Sequence, residues 1–331
     1  PARRPGFAQA WQRRRIRRSG LDRGGGISRG KGKTVQAGSG VGLLFAVLGA
    51  VGFSFKAILV KLAYRYGVDA ETLLALRMGL SLPFFVVMGI VAERRRPLAM
   101  GARDWGWMVG LGLFGYYLAS YLDFLGLRYI TAGLERLILF LYPTIVILLS
   151  ALFLGKPITR RVLLAMGLCY LGIGFAVGHD LSVVGDRRDV LLGSLLVFGS
   201  ALAYALYLMG NGVVVGRLGS MRVTAAATSV ACILCIGQFL LLRPLSALVL
   251  PWQVYALSLA MALLSTVAPV WLVSEAIRRL GAGPVSLTGT LGPVVTIGLG
   301  WLMLGEVVGL AQLVGAVMVI GGVLVMARRP A

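Results

Sequence analysis

The sequence predicts an all-α integral membrane protein of ten transmembrane helices, built as two inverted five-helix repeats. Three observations predict it. The 331 residues are 58% hydrophobic and 14% charged, with mean hydropathy +0.87, whereas a soluble domain carries roughly 25% charged residues. After residue 40 the apolar runs follow one another in regular order, and each is about 20 residues or longer, enough to cross the ~30 Å hydrocarbon layer. Residues 128–156 align without gaps to 278–306 at a constant offset of 150.

Residues 1–40 form a basic tail whose one acidic residue is Asp22. It has no apolar run to serve as a signal peptide or a core, so the expectation is a disordered cytoplasmic extension drawn to an anionic leaflet. Gly30-Lys31-Gly32-Lys33-Thr34 resembles the end of a phosphate loop, but Ile27 stands where that loop needs its first glycine, and no strand precedes it.

The spans fall near 41–63, 71–92, 105–127, 131–154 and 158–178, then near 190–213, 221–242, 252–276, 284–304 and 308–327. Residues 179–189 link the two sets. Lipid offers the backbone no hydrogen-bond partners, so each run must be a helix.

Net charge is +21, with 33 Lys and Arg against 12 Asp and Glu. That surplus does not point to nucleic acid, because eleven of the 33 lie in the tail and most others lie between apolar runs. One alternate set of links holds thirteen basic residues, among them Arg94, Arg95, Arg96, Lys156, Arg160, Arg278 and Arg279. The other holds Arg65, Arg128, Arg187, Arg188 and Arg243, with Lys61 at its margin. The positive-inside rule therefore predicts cytoplasmic termini.

Identities across the repeat include Arg128/Arg278, Gly133/Gly283, Pro143/Pro293, Leu154/Leu304 and Gly155/Gly305. Chance agreement between leucine-rich helices does not account for a matched proline and matched glycines. Five helices per unit is an odd number, so residues 41–178 and 190–327 must lie in opposite orientations. Such halves suit alternating access at their interface, and the expected activity is secondary transport.

The stretches "GLRYITAGLERLILFLYPTIVILLSALFLGKPIT" and "AIRRLGAGPVSLTGTLGPVVTIGLGWLMLGEVV" resemble the signature ends of two EamA repeats of the drug/metabolite transporter superfamily. The resemblance covers residues 41–327. It rests on the small-residue turn before the fourth helix, the mid-helix proline and the closing Leu-Gly-Glu, where the first copy departs with Lys156 against Glu306. It implies carrier-type transport, in a bacterial inner (plasma) membrane, of one of a wide range of metabolites. The function expected is secondary transport, in the export direction, of a small polar metabolite such as an amino acid. A channel-like facilitator or a non-transporting scaffold is the alternative.

Ionisable residues within spans are candidates for function. Lys56, Arg77, Asp123, Glu135 and Arg136 lie on four different spans, all within roughly 6–10 Å of the outer surface at 1.5 Å per residue. Two accounts compete. Asp123 and Glu135 can neutralise two of the three cations as a structural network, or the layer can serve as a solute site or gate. Its surplus positive charge would suit a carboxylate or phosphate. Tyr117 and Tyr121, one turn apart on the helix of Asp123, join the candidates if they face the cavity. The second copy lacks this layer.

The expected partners are a small-molecule substrate and the lipid bilayer, with a coupled proton an option at Asp123 and Glu135, in a monomer or homodimer. No cofactor, metal or catalytic residue is expected. The chain holds one histidine and no HExxH, and Cys232 and Cys235 read as small apolar residues of one helix face.

Overall fold

A computed structural model of the chain describes residues 36–155, 157–184, 186–281, 285 and 287–327. The tail residues 1–35 and Lys156, for which the sequence made specific predictions, lie outside the described residues. Ten apolar helices follow in order: α1 Gly40–Tyr64, α2 Ala70–Arg95, α3 Ala102–Gly126, α4 Ala132–Leu154, α5 Arg160–Val183, α6 Arg187–Leu218, α7 Ser220–Leu242, α8 Trp252–Leu280, α9 Leu291–Leu304 and α10 Leu310–Ala327. Nine are long enough to cross a bilayer among the described residues, and α9 is the shorter one. Helix α5 runs through His179 and Asp180, which the sequence placed in a linker. The connection to α6 is therefore only a few residues long.

The end at which α1 begins is here the near face, and the opposite end is the far face. Large apolar side chains such as Leu164, Leu195, Leu241 and Val317 are exposed, while Arg77, Asp123, Glu135 and Gln312 are buried. That reverses the distribution of a water-soluble protein and fits a surface bathed in lipid. The chain is a multi-pass membrane protein.

Helix ends follow local chemistry. Asp69 caps α2 by accepting from the Thr72 backbone N–H at 2.9 Å, and Thr131 caps α4 by accepting from Leu134. Gly155 and Gly305, a matched pair of the repeat, close α4 and α9 at φ 62° and 70°. Only glycine takes that left-handed conformation without a Cβ penalty, which gives the repeated Leu-Gly its physical reason.

Across the repeats α2 packs on α7, α5 on α10 and α3 on α6. Small residues allow the approach of α5 and α10. A Cβ on Gly172 would lie 2.7 Å from the Gly315 carbonyl oxygen, and one on Gly322 would lie 2.6 Å from that of Ala165.

Two irregularities recur at matching positions. Helix α4 is broken, with segments Ala132–Leu139 and Tyr142–Leu154 separated by a turn at Phe140 and Leu141. Pro143 sits at the start of the second segment because it has no N–H to donate and its ring would meet the carbonyl of Leu139 in a continuous helix. Helix α9 repeats this, with a turn at Gly289 and Thr290 before Leu291–Leu299 and its Pro293. Helices α3 and α8 each carry a π-helical stretch, at Gly112–Leu118 and Leu263–Val267. Such insertions re-aim side chains and concentrate at functional sites.

Candidate functional site

The charged residues that the sequence singled out do come together, but not as one symmetric layer. Lys56 of α1 is the centre. Its Nζ donates to Asp123 Oδ2 of α3 at 2.6 Å and lies 3.4 Å from Glu135 Oε1 of α4. Asp123 is 1% exposed and Glu135 0%, whereas Lys56 keeps 17% of its side chain accessible. Neither Glu135 oxygen has a hydrogen-bond donor. One lysine thus holds two carboxylates, and neither arginine pairs with an acid among the described residues.

Arg77 of α2 is buried between α3 and α8. Its Nε donates to Thr266 Oγ1 at 3.1 Å, and its guanidinium lies 5.4 Å from the centre of the Phe124 ring. The π-helical stretch of α8 presents Thr266, whose hydroxyl also donates to Met261 O, five residues back. Arg77 Nη1 has no partner. Of the three cations that Asp123 and Glu135 could have neutralised, Lys56 faces both carboxylates, and it does so alone among the described residues.

Arg136, next in sequence, therefore points elsewhere. It forms no ion pair among the described residues, and its Nε is buried without a partner. The guanidinium lies against Gly292, where a Cβ would be 2.9 Å from Nη2. Gly292 is the residue after the start of the second segment of α9. Ser54 of α1 donates to the Gly292 carbonyl at 3.2 Å, tying the break to the helix of Lys56.

Tyr117 and Tyr121 stack at 6.3 Å between ring centres. Tyr121 Oη donates to Glu71 Oε1 at 3.1 Å, and Glu71 accepts from Arg243 Nη2 at 3.0 Å. Both tyrosines thus belong to a far-face group with Asp69, Glu71 and Arg243, apart from the bonds of Lys56.

Four tyrosines outside the candidate set gather beside the break in α4. Tyr142, at the start of the second segment of α4, packs edge-on against Tyr204 of α6 at 5.4 Å. Tyr204 stacks on Tyr207 at 5.6 Å, and Tyr207 Oη meets Tyr116 Oη at 3.0 Å. Gly115, in the π-helical stretch of α3, makes room for the Tyr207 ring, which a Cβ there would meet at 2.4 Å. The available signal was Pro143: a matched mid-span proline marks a break, and the residues beside a break are exposed to the interior.

At the far face, loop residues join the two repeats. Glu306 accepts from the Ala132 backbone N–H at 2.9 Å and pairs with Lys61 at 3.3 Å. Arg65 donates to Leu304 O at 2.8 Å, and Gly309 N–H donates to His179 Nε2 at 3.0 Å. A carboxylate at the start of α4 also meets the positive end of the helix dipole. At the near face Arg222 bonds Glu93 at 2.7 Å, and Arg217 pairs with Asp104. Glu275 pairs with Arg278 and Arg279 at the end of α8.

Known proteins share this architecture. The model of the EamA-like transporter family matches residues 40–178 and again 191–328. The uncharacterised transporter YcbK of Bacillus subtilis (strain 168) is 29% identical over 282 residues, which is 82% of this chain and 88% of that protein. The uncharacterised transporter YyaM of the same organism is 25% identical over 226 residues, 67% of this chain and 73% of its own length. A solved crystal structure, 18% identical, superposes with a TM-score of 0.56 over 89% of this chain and all of the other, a likeness of fold. With two family matches on two helical units that repeat the same breaks, the chain belongs to the EamA-like transporter family.

Proposed function

We propose that the protein is a secondary carrier that exports a small polar metabolite, such as an amino acid, by alternating access between its two repeats. The observation that carries this reading is the pairing of broken helices. Helices α4 and α9 interrupt at matching positions, one from each repeat, and charged or hydroxylated side chains gather beside both breaks. Discontinuous helices at a repeat interface are the usual construction of a carrier site. The near face is cytoplasmic in this reading, as the basic links favour, and the membrane is the plasma membrane.

The Lys56 triad offers a place for a coupled proton. One lysine against two carboxylates leaves one negative charge over, in an interior where uncompensated charge is costly. Arg77 on α2 and Arg136 on α4 are the charged groups flanking it.

The test is flux. Purified protein in proteoliposomes, offered a broad panel of amino acids and related metabolites, should show saturable uptake of at least one. Replacing Glu135 by Gln or Arg77 by Gln should abolish that uptake while the protein stays folded and inserted. No uptake of any solute, beside a working control carrier, rejects the reading. Single-channel currents would favour the facilitator instead.

A further inference from the structure

We infer that the group recognised on the solute is a single carboxylate and that Arg136 binds it, an inference that rests on the carrier reading. Three facts converge on it. The first is charge. Lys56, Arg77 and Arg136 stand against Asp123 and Glu135, so the interior carries one positive charge too many when all five are ionised. The two carboxylates are committed to Lys56. Arg77 is enclosed, with Thr266 on its Nε and the Phe124 ring over its plane. Arg77 Nη1 is likewise unpartnered, but Arg77 is covered along its edge and its face, so the cation better placed to take a partner is Arg136.

The second fact is its hydrogen bonding. An arginine has five N–H donors in a planar fork that matches a carboxylate. Arg136 has no ion pair among the described residues, and its Nε is buried without an acceptor. A buried donor left unmet is expensive, and an anion held on the fork would meet it. A single guanidinium balances a carboxylate of charge −1, whereas a phosphate dianion would leave the interior negative.

The third fact is the surroundings. Tyr142, farther along the helix of Arg136, packs edge-on against Tyr204 of α6 at 5.4 Å between ring centres. Gly292 holds the other side, and its missing side chain lets the guanidinium rest on the start of the second segment of α9. Both repeats therefore touch the bound group: α4 brings Arg136 and Tyr142, while α6 and α9 bring Tyr204 and Gly292. A rocking of one repeat on the other would change the site, as transport requires.

The experiment uses the full chain in proteoliposomes and in detergent. The probes are lactate, pyruvate and the L-amino acids, each paired with its carboxamide. Uptake and the shift in thermal midpoint are both read. At least one acid should be taken up and should stabilise the protein, and its amide should do neither. Arg136→Gln should weaken that acid by at least about tenfold, the worth of a charged hydrogen bond. Arg136→Lys should keep part of the affinity. Gly292→Ala, whose Cβ displaces the guanidinium, should weaken the acid and leave the Lys56 triad intact. If Arg136→Gln does not fold, the Arg136→Lys and Gly292→Ala proteins carry the test. Equal behaviour of acid and amide, or wild-type affinity in the variants, overturns the assignment. Uptake only of solutes that carry no carboxylate overturns it too, while the carrier reading survives. Absence of any uptake overturns both.

Discussion

At the residue scale, the triad is an interdependent unit. Removing Lys56 leaves Asp123 and Glu135 buried without a cation, and breaking such a pair costs about 3–5 kcal/mol. Lys56→Met should therefore lower the thermal midpoint of the purified protein sharply. Adding Asp123→Asn and Glu135→Gln to it should recover most of the loss, because the burial of charge is removed with the pairing. If the triple variant is no more stable than the single one, the triad does not behave as one ion cluster. Asp69 gives a second test, outside the spans. Burial pushes its carboxyl up, but the bonds from Thr72 and the charge of Arg243 outweigh burial and hold it below the ordinary value. A lowered folded-state value stabilises above the ordinary carboxylate range, and that stability is lost as pH falls through the folded value. Wild type should lose about 1 kcal/mol relative to Asp69→Ala between neutral and strongly acid pH, the worth of a helix cap.

At the element scale, the breaks and the glycine contacts set the architecture. Gly322 of α10 lies where a Cβ would be 2.4 Å from Cys169 Sγ and 2.6 Å from the Ala165 carbonyl oxygen of α5. The backbone oxygen cannot step aside without moving its helix. Gly322→Ala should cost about 1–3 kcal/mol, the usual toll of overpacking. Gly298, also helical, faces open space, so Gly298→Ala should be neutral or stabilising by about 0.5–1 kcal/mol. Thermal unfolding of the two variants in one detergent compares them directly. The breaks are different in kind. Pro143 and Pro293 interrupt a helix where apolar packing alone would continue it, and the tyrosines and Arg136 collect beside the interruptions.

At the scale of the whole molecule, the ties at the far face join the repeats. Lys61, Arg65 and the first turn of α4 belong to one repeat, while Leu304, Glu306 and Gly309 belong to the other. If the halves rock, these bonds must break in one of the two states. Glu306→Ala removes the acceptor of the Ala132 N–H and the partner of Lys61. It should shift the population toward the state open at the far face by about tenfold or more, since hydrogen bonds to charged groups contribute about 1.5–3 kcal/mol. Labelling of a cysteine introduced in place of Tyr64 with an impermeant thiol reagent reads that shift. Unchanged labelling would mean the ties are structural alone.

The sequence by itself determined the ten apolar helices and their two-fold repetition, because hydrophobic length and a conserved offset of 150 residues are properties of the linear chain. It also determined which charges lie inside the apolar spans. What it left undecided was their pairing. Three cations and two carboxylates admit several networks, and helix rotation chooses among them. On α4, consecutive residues point to different sides, so Glu135 meets Lys56 while its neighbour Arg136 meets Gly292. The π-helical stretch in α8 turns Thr266 toward Arg77. Tyr117 and Tyr121 were grouped with the charges by proximity along α3, yet Tyr121 bonds Glu71 at the far face and Tyr117 stacks on Tyr121. Tyr142, Tyr204 and Tyr207 carried no distinguishing mark in the sequence, since tyrosines are common in packed helices. They become a cluster only when α3, α4 and α6 meet at the break. Contacts of that kind depend on rotation and register between helices far apart in the chain, and tertiary packing alone fixes both.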